Sequence, residues 1–373
     1  MFVAEGYLYY LIIQCIFCIV NFFLTKMFIS GILHKVLVQP IIRLLYVYII
    51  NDREAYIKTN TILPHSLKSD LNKRTFCDKI KGKIYLQKEF FMKITASSRF
   101  HTVHPAGRFT PVEMAEHFHK VGFEGFDFDM NEYTDVYDAS ERDSIISSLA
   151  DRAAALGLSV NMCHLPFYGK KDSRMLDLEL NYKLIKLGIE GAARLGVKNG
   201  VIHPQPLIMP REQFDDEDCF KKTIEYLTPL AEHAAKHGVR LSVENMSNHA
   251  CVNGIYRYCC TAEEVARVAD YFGAGVCWDF GHANSVKIPQ GDSLRYLGRR
   301  ITALHINDNN GNKDDHLLPF WGTVDWHDAM QGLRDSGYDG CFNYECRMIK
   351  IPAELRDELG AYAVALAKRL QNF

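Results

Sequence analysis

The chain has 373 residues, 48% hydrophobic and 24% charged, an ordinary globular composition long enough for one large domain with an appendage or for two domains. Its charge is uneven: residues 1–91 carry 12 Lys+Arg against 6 Asp+Glu, whereas 92–373 carry 31 against 39, a net of −8. That acidic balance argues against nucleic acid as the main partner, because neutralising phosphates needs a basic footprint.

The first element is apolar. Between Tyr7 and Thr25 no residue is charged, and apolar sequence continues to Ile50, broken by Lys26, Lys35 and Arg43. The uncharged run has about the length needed to cross a bilayer. Lys26 and Lys35 follow it, which would leave the rest of the chain in the cytoplasm. A cleaved signal peptide fits poorly, because there is no basic start and no clear small-residue cleavage site. A competing reading starts the protein at Met92-Lys93-Ile94-Thr95 and treats residues 1–91 as a mis-assigned start or an appendage. The expected organisation is therefore an N-terminal extension over 1–91, with membrane attachment through 7–50 if the segment is genuine, and one domain over 92–373. The 11 cysteines form no regular framework, which suits small buried hydrophobes in a reducing, cytoplasmic compartment.

From residue 92 onward a unit recurs. An amphipathic helical stretch ends in glycine, and a short apolar strand follows. The glycines are Gly122, Gly157, Gly196, Gly238, Gly273, Gly298 and Gly337. Glycine just past a helix accepts the left-handed conformation that closes the last turn. Seven such junctions and one leading strand predict eight strands: Lys93–Ser97, Gly125–Phe128, Ser159–Cys163, Gly200–Ile202, Arg240–Val243, Ala274–Trp278, Ile301–Ile306 and Gly340–Tyr344. Thr110-Pro111-Val112-Glu113 and Thr261-Ala262-Glu263-Glu264 read as capping boxes, and a last helix is predicted from near Pro352 to about Gln371. Regular strand–helix alternation means parallel strands with helical crossovers. Eight units predict an α/β fold, a (β/α)8 TIM barrel, with an open doubly wound sheet as the alternative. No glycine-rich phosphate loop follows any strand.

In such a barrel the active site lies at the C-terminal strand ends. Those ends offer Asp127 and Asp129, His164, His203, Glu244 with Asn245, Asp279 with His282, and His305 with Asn307 and Asp308. Asp314 and His316 follow on the seventh loop, and Glu345 with Arg347 on the eighth strand. A lone histidine or carboxylate there is often structural, and Asp279 could serve as a helix N-cap. Four consecutive strands ending in Glu244, Asp279, His305 and Glu345 are harder to dismiss. Three converging carboxylates would raise one another's pKa unless a cation joined them. Oxygen donors with one imidazole suit a single divalent ion such as Mn, Mg, Co or Zn.

These motifs resemble the xylose-isomerase-like barrels. The family spans sugar-phosphate isomerases and epimerases, ketose 3-epimerases, inosose dehydratases and endonuclease-IV-type AP endonucleases. The resemblance covers about residues 92–370. It rests on Ser242-Val243-Glu244-Asn245, Cys277-Trp278-Asp279-Phe280-Gly281-His282, Ala303-Leu304-His305-Ile306-Asn307-Asp308 and Asn343-Tyr344-Glu345, together with Lys313-Asp314-Asp315-His316-Leu317-Leu318-Pro319. It implies one metal held by Glu244, Asp279, His305 and Glu345. Glu244 and Glu345 would also act as base and acid on a sugar or sugar phosphate through a metal-stabilised enediolate. His282, His203, His164 and Arg347 would contact substrate. The nuclease branch implies instead a three-zinc site that adds His164, His203, His282, Asp314 and His316. The acidic balance and the Asp-Asp-His-Leu-Leu-Pro loop favour the sugar enzymes. A dehydratase is a further alternative. A non-catalytic sugar-binding barrel is the weakest, because both glutamates are present. The sequence is compatible with a homo-oligomer and leaves the sugar unnamed.

Overall fold

Helix α1 (Pro111–Val121) shows why the repeat folds as it does. Thr110 and Glu113 close a capping box at its start, and Gly122, at φ 97°, closes its end in the left-handed region. All seven predicted junction glycines have positive φ. Gly298 departs from the pattern: at φ 54° and ψ −131° it opens a 3-10 turn over Gly298–Arg300 rather than a left-handed cap. The second capping box also forms, at the start of Ala262–Phe272.

The computed structural model describes residues 91–373 apart from 101–108, 136–138, 168–177, 205–207, 248–254 and 349–350. The expectations for residues 1–90, membrane attachment through 7–50 included, lie outside the described residues. Among the described residues no helix is long and apolar enough to cross a membrane.

The strands are β1 (Ile94–Ser97), β2 (Gly125–Asp129), β3 (Ser159–His164), β4 (Asn199–Ile202), β5 (Ile208–Pro210), β6 (Arg240–Glu244), β7 (Ile255–Arg257), β8 (Gly275–Asp279), β9 (Ile301–His305) and β10 (Phe342–Tyr344). The remaining helices are α2 (Met130–Asp135), α3 (Ala139–Leu156), α4 (Leu178–Arg194), α5 (Asp216–Lys236), α6 (Ala262–Phe272), α7 (Phe280–Val286), α8 (Gln290–Leu297), α9 (Trp326–Ser336) and α10 (Arg356–Leu370). Eight strands pair in the order β10-β1-β2-β3-β4-β6-β8-β9, and every pairing is parallel. A parallel bridge between Ile306 and Tyr344 closes the ring. There the Ile306 N–H donates to Asn343 O at 2.8 Å and the Glu345 N–H to Ile306 O at 3.0 Å. The result is a (β/α)8 barrel.

Two apolar layers hold it. The larger packs helices on the outside of the sheet, with Trp278, Trp326 and Phe342 fully buried. The smaller lies inside and consists of Met162, Val201, Cys277 and Ala303. Strand side chains alternate with period two. His164, His203, Asp279 and His305 lie two residues beyond these four, so they face the barrel axis as the next layer. All seven described cysteines are free and buried.

Three features depart from the predicted pattern. Strands β5 and β7 form an antiparallel ribbon after β4 and β6; three-residue strands are too short to show a period. Helices α2 and α7 start directly at the ends of β2 and β8. The last helix is preceded by a 3-10 turn over Ala353–Leu355 and begins at Arg356.

Candidate active site

His305 sits at the centre, fully buried at the end of β9. Its Nδ1 lies 2.9 Å from Glu244 Oε1, 3.3 Å from Glu345 Oε2 and 3.9 Å from Asp279 Oδ2. One donor atom from each of these four residues falls within 4.8 Å of all the others. The opposite ring nitrogen, Nε2, lies 3.6 Å from Asp127 Oδ2. Asn343 Nδ2 donates to the same oxygen at 3.4 Å, and Thr95 Oγ1 donates to Asn343 Oδ1 at 2.8 Å. This buried column under His305 fixes which edge of the ring turns toward the carboxylates.

Asp279 serves two ends at once. Its Oδ1 caps α7 by accepting the His282 N–H at 2.6 Å, and its Oδ2 accepts Asn307 Nδ2 at 2.8 Å on the side of His305. Asn245 locks the backbone there: its Oδ1 accepts the Asp279 N–H at 2.6 Å and its Nδ2 donates to Asp279 O at 2.9 Å. The N-cap and the cluster readings of Asp279 therefore both hold, one per oxygen. Gly281 is required for close approach, since a Cβ there would overlap the Asn307 side chain. Gly281→Ala is expected to cost about 1–3 kcal/mol by overpacking, measured by denaturant unfolding; an unchanged midpoint would contradict this.

Two flanking groups complete the cluster. His164 Nε2 and His203 Nε2 lie 3.3 and 3.1 Å from Glu244 Oε2, and Phe167 stacks on the His203 ring at 4.8 Å. Asp314 Oδ2 lies 3.0 Å from His316 Nε2 and 3.6 Å from His282 Nε2. Those rings present Nε2 because Nδ1 is engaged elsewhere, in His282 by Asn245 O at 2.8 Å and in His316 by Glu345 O at 2.7 Å. The structure thus brings together His164, His203, Glu244, Asp279, His282, His305, Asp314, His316 and Glu345. Arg347 lines the same cavity, of about 330 Å³.

The other strand-end candidates play different parts. Asp308 ties down the loop that carries Asp314 and His316, accepting from the Phe320 N–H, the Val324 N–H and Trp326 Nε1. Asp129 pairs with Arg99 and accepts the Asn131 N–H. Phe167, Met246 and Arg257 also line the cavity. No motif marks them, because they come from loops and from the ribbon.

Burial opposes charge throughout, and the neighbours decide the outcome. For Glu244, burial is outweighed by His305, His203 and His164, which hold the carboxyl well below the usual range. Glu345 is part-buried and drops to about 2, burial being outweighed by His305 and His316. Asp279 rises to about 7 through burial, then through Glu345, Glu244 and Asp314, against the pull of His282. For His305 and His282, burial is overcome by surrounding anionic groups, and both rise well above the ordinary value. His203 falls, mainly through burial.

The donor set fits a divalent ion. Three carboxylates and one imidazole converge in a buried cluster. Such a set is costly to bury without a cation. Glu244, Asp279, His305 and Glu345 are the residues that could hold one.

The sequence profile of the xylose isomerase-like TIM barrel family matches residues 115–364. An uncharacterised protein of Methanocaldococcus jannaschii is 28% identical over 206 residues, which cover 53% of this chain and 68% of that protein. An inosose isomerase of Bacillus licheniformis is 23% identical over 163 residues, 42% of this chain and 56% of the isomerase, little more than half of its length. Among solved structures, the 3-keto-D-glucoside 4-epimerase of E. coli superposes with a TM-score of 0.56 at 19% identity, covering 74% of this chain and all of the epimerase. That likeness concerns the fold.

Proposed function

The chain belongs to the xylose isomerase-like TIM barrel family, and we propose that it is a divalent-metal-dependent isomerase or epimerase of a sugar or sugar phosphate. The observation that carries this reading is the convergence of Glu244, Asp279, His305 and Glu345 within 4.8 Å at the C-terminal strand ends. The inosose isomerase among the chain's relatives and the epimerase of like fold support it.

When bound there, a divalent ion supplies Lewis-acid polarisation of a carbonyl and stabilisation of developing negative charge. The protein's own groups do the rest. Glu244 and Glu345 reach His305 from different strands, β6 and β10. One carboxylate takes the proton from the carbon beside the carbonyl, and the other returns it to the enediolate; in an isomerase the same one can do both. His282, His203 and His164 offer ring nitrogens to substrate hydroxyls, and Asp127 holds His305 in place from below. The apolar wall made by Phe167 and Met246 suits the C–H face of a sugar and helps exclude water.

A screen of ketoses and ketose phosphates in deuterated solvent tests this, read by NMR. At least one is expected to gain deuterium beside its carbonyl, and none to do so when Glu244→Gln and Glu345→Gln are combined. Absence of exchange in every sugar would end the proposal.

A second reading has one specific observation in its favour. His164 and His203 gather on Glu244, and His282 and His316 gather on Asp314, which is the arrangement that a three-zinc phosphodiesterase of the same superfamily needs. The net charge of −8 over residues 92–373 weighs against a DNA substrate. Elemental analysis giving one ion per chain, with no cleavage of abasic-site DNA, is the expected result. Three zinc ions with cleavage would replace the isomerase reading.

A further inference from the structure

Arginines on this barrel mostly find carboxylates. Arg152 pairs with Glu116, Arg267 with Asp216 and Glu217, Arg295 with Asp292, and Arg300 with Asp270. Two that line the active-site cavity do not. Arg257, at the end of β7, and Arg347, two residues beyond Glu345, are both half-buried. Among the described residues neither side chain makes a salt bridge or hydrogen bond. The acidic groups lining the same cavity are already engaged: Glu244 with His164, His203 and His305, Asp314 with His282 and His316, and Glu345 with His305. The cavity therefore holds two guanidinium side chains that, among the described residues, have no carboxylate in direct contact. Guanidinium matches phosphate and carboxylate oxygens through a rigid fork of donors, and a half-buried one gains more from such a partner than an exposed one does.

We infer that this cavity takes an anionic sugar, its phosphate or carboxylate paired with Arg257 and Arg347. The inference rests on the sugar-isomerase reading of the site and narrows its substrate class. The two arginines arrive by independent routes. Arg347 is set by the segment that leaves β10 through Glu345, and its backbone N–H donates to His316 O at 2.9 Å. Arg257 is set by the antiparallel pairing of Arg257 with Ile208. The ribbon thus has a task in this proposal: it carries a charge from the loops to the cavity that holds Glu244 and His282. The cavity, at about 330 Å³, lies at the small end of the ~300–1,000 Å³ range of ligand clefts, as expected for one sugar unit with one charged group.

The test is calorimetric titration of the metal-loaded protein with D-fructose 6-phosphate, D-fructuronate and D-fructose. Wild type, Arg257→Ala, Arg347→Ala and the two lysine variants are compared, with melting curves to confirm folding. Wild type should bind one of the anionic sugars at least about 10-fold tighter than fructose, the scale of a charge-assisted hydrogen bond. Each alanine variant should lose most of that preference, and each lysine variant should keep part of it. Whether the phosphate or the carboxylate is preferred identifies the source of the charge. Equal affinity for fructose and both anions overturns the inference. So does a preference that persists in both alanine variants, since the anion would then be held by the metal. Deuterium exchange measured in parallel judges the isomerase reading alone, so the two can fail separately.

Discussion

Replacing either Glu244 or Glu345 by glutamine is expected to lower kcat by about 10²–10⁴-fold, the usual contribution of a positioned acid or base. Glutamine keeps the volume, so the circular dichroism spectrum should not change. The two variants also separate one-base from two-base chemistry. In an epimerase with a glutamate on each face, losing one leaves the other able to exchange a proton on its own face, so deuterium enters one epimer without inversion. In an isomerase served by one base, one variant loses exchange entirely and the other retains it. Near-normal turnover in either variant would overturn the pairing of Glu244 and Glu345 about His305, whose Nδ1 stands 2.9 and 3.3 Å from them.

Removing the divalent ion with a chelator should abolish turnover and lower the melting temperature, and adding back Mn, Co, Mg or Zn should restore both. An ion present at 100 times its Kd stabilises the folded state by about 2.7 kcal/mol, worth several degrees in a domain of this size. The sign of the pH dependence follows from the site. Asp279 rises from an ordinary 3.8 to about 7 through burial and the neighbouring Glu345, Glu244 and Asp314. A raised carboxyl stabilises the metal-free fold while protonated, and that contribution is lost as pH rises through the folded value. His305 and His282, raised well above their ordinary 6.5, act in the same direction. His203 is lowered and titrates below this window. Glu244 and Glu345, held below 4.5, are already ionised in both states. Between about pH 6.5 and 8 the metal-free protein should therefore lose stability, chiefly through His305 and His282, because the Asp279 contribution is lost between 3.8 and about 7. The ion needs its ligands deprotonated, so the gap between metal-loaded and chelated melting temperatures should widen. Differential scanning fluorimetry across this range measures it, and an unchanged melting temperature on chelation would refute a metal at this site.

The barrel was legible in the sequence because each repeat carries local signals with local causes. Glycines such as Gly122 and Gly273 adopt the left-handed conformation in the next turn of chain, and the Thr110 and Thr261 capping boxes close within three residues. The candidate residues were legible for a similar reason: a polar residue at the end of a buried strand stands out against its neighbours, and the closed ring then decides the direction in which it faces. Asp279 could be read both as a cap and as a member of the cluster, and it is both.

Other features depend on contacts between distant segments. Asp127 was visible as a strand end, but its place under His305 depends on strands β2 and β9 facing one another across the ring. Asp308 resembled a site residue and proves to anchor the loop that presents Asp314 and His316. Arg257 carries no signal, because three-residue strands have no readable period and only the pairing of β5 with β7 brings it to the cavity. The sequence by itself determined the strand–helix repeat, the closing turns and the polar residues that end the strands, because each is set by forces acting within a few residues. Only the tertiary structure decided which of those groups meet, which oxygen of Asp279 faces His305 and which arginines line the cavity, because these depend on segments that closure of the barrel brings together across the fold.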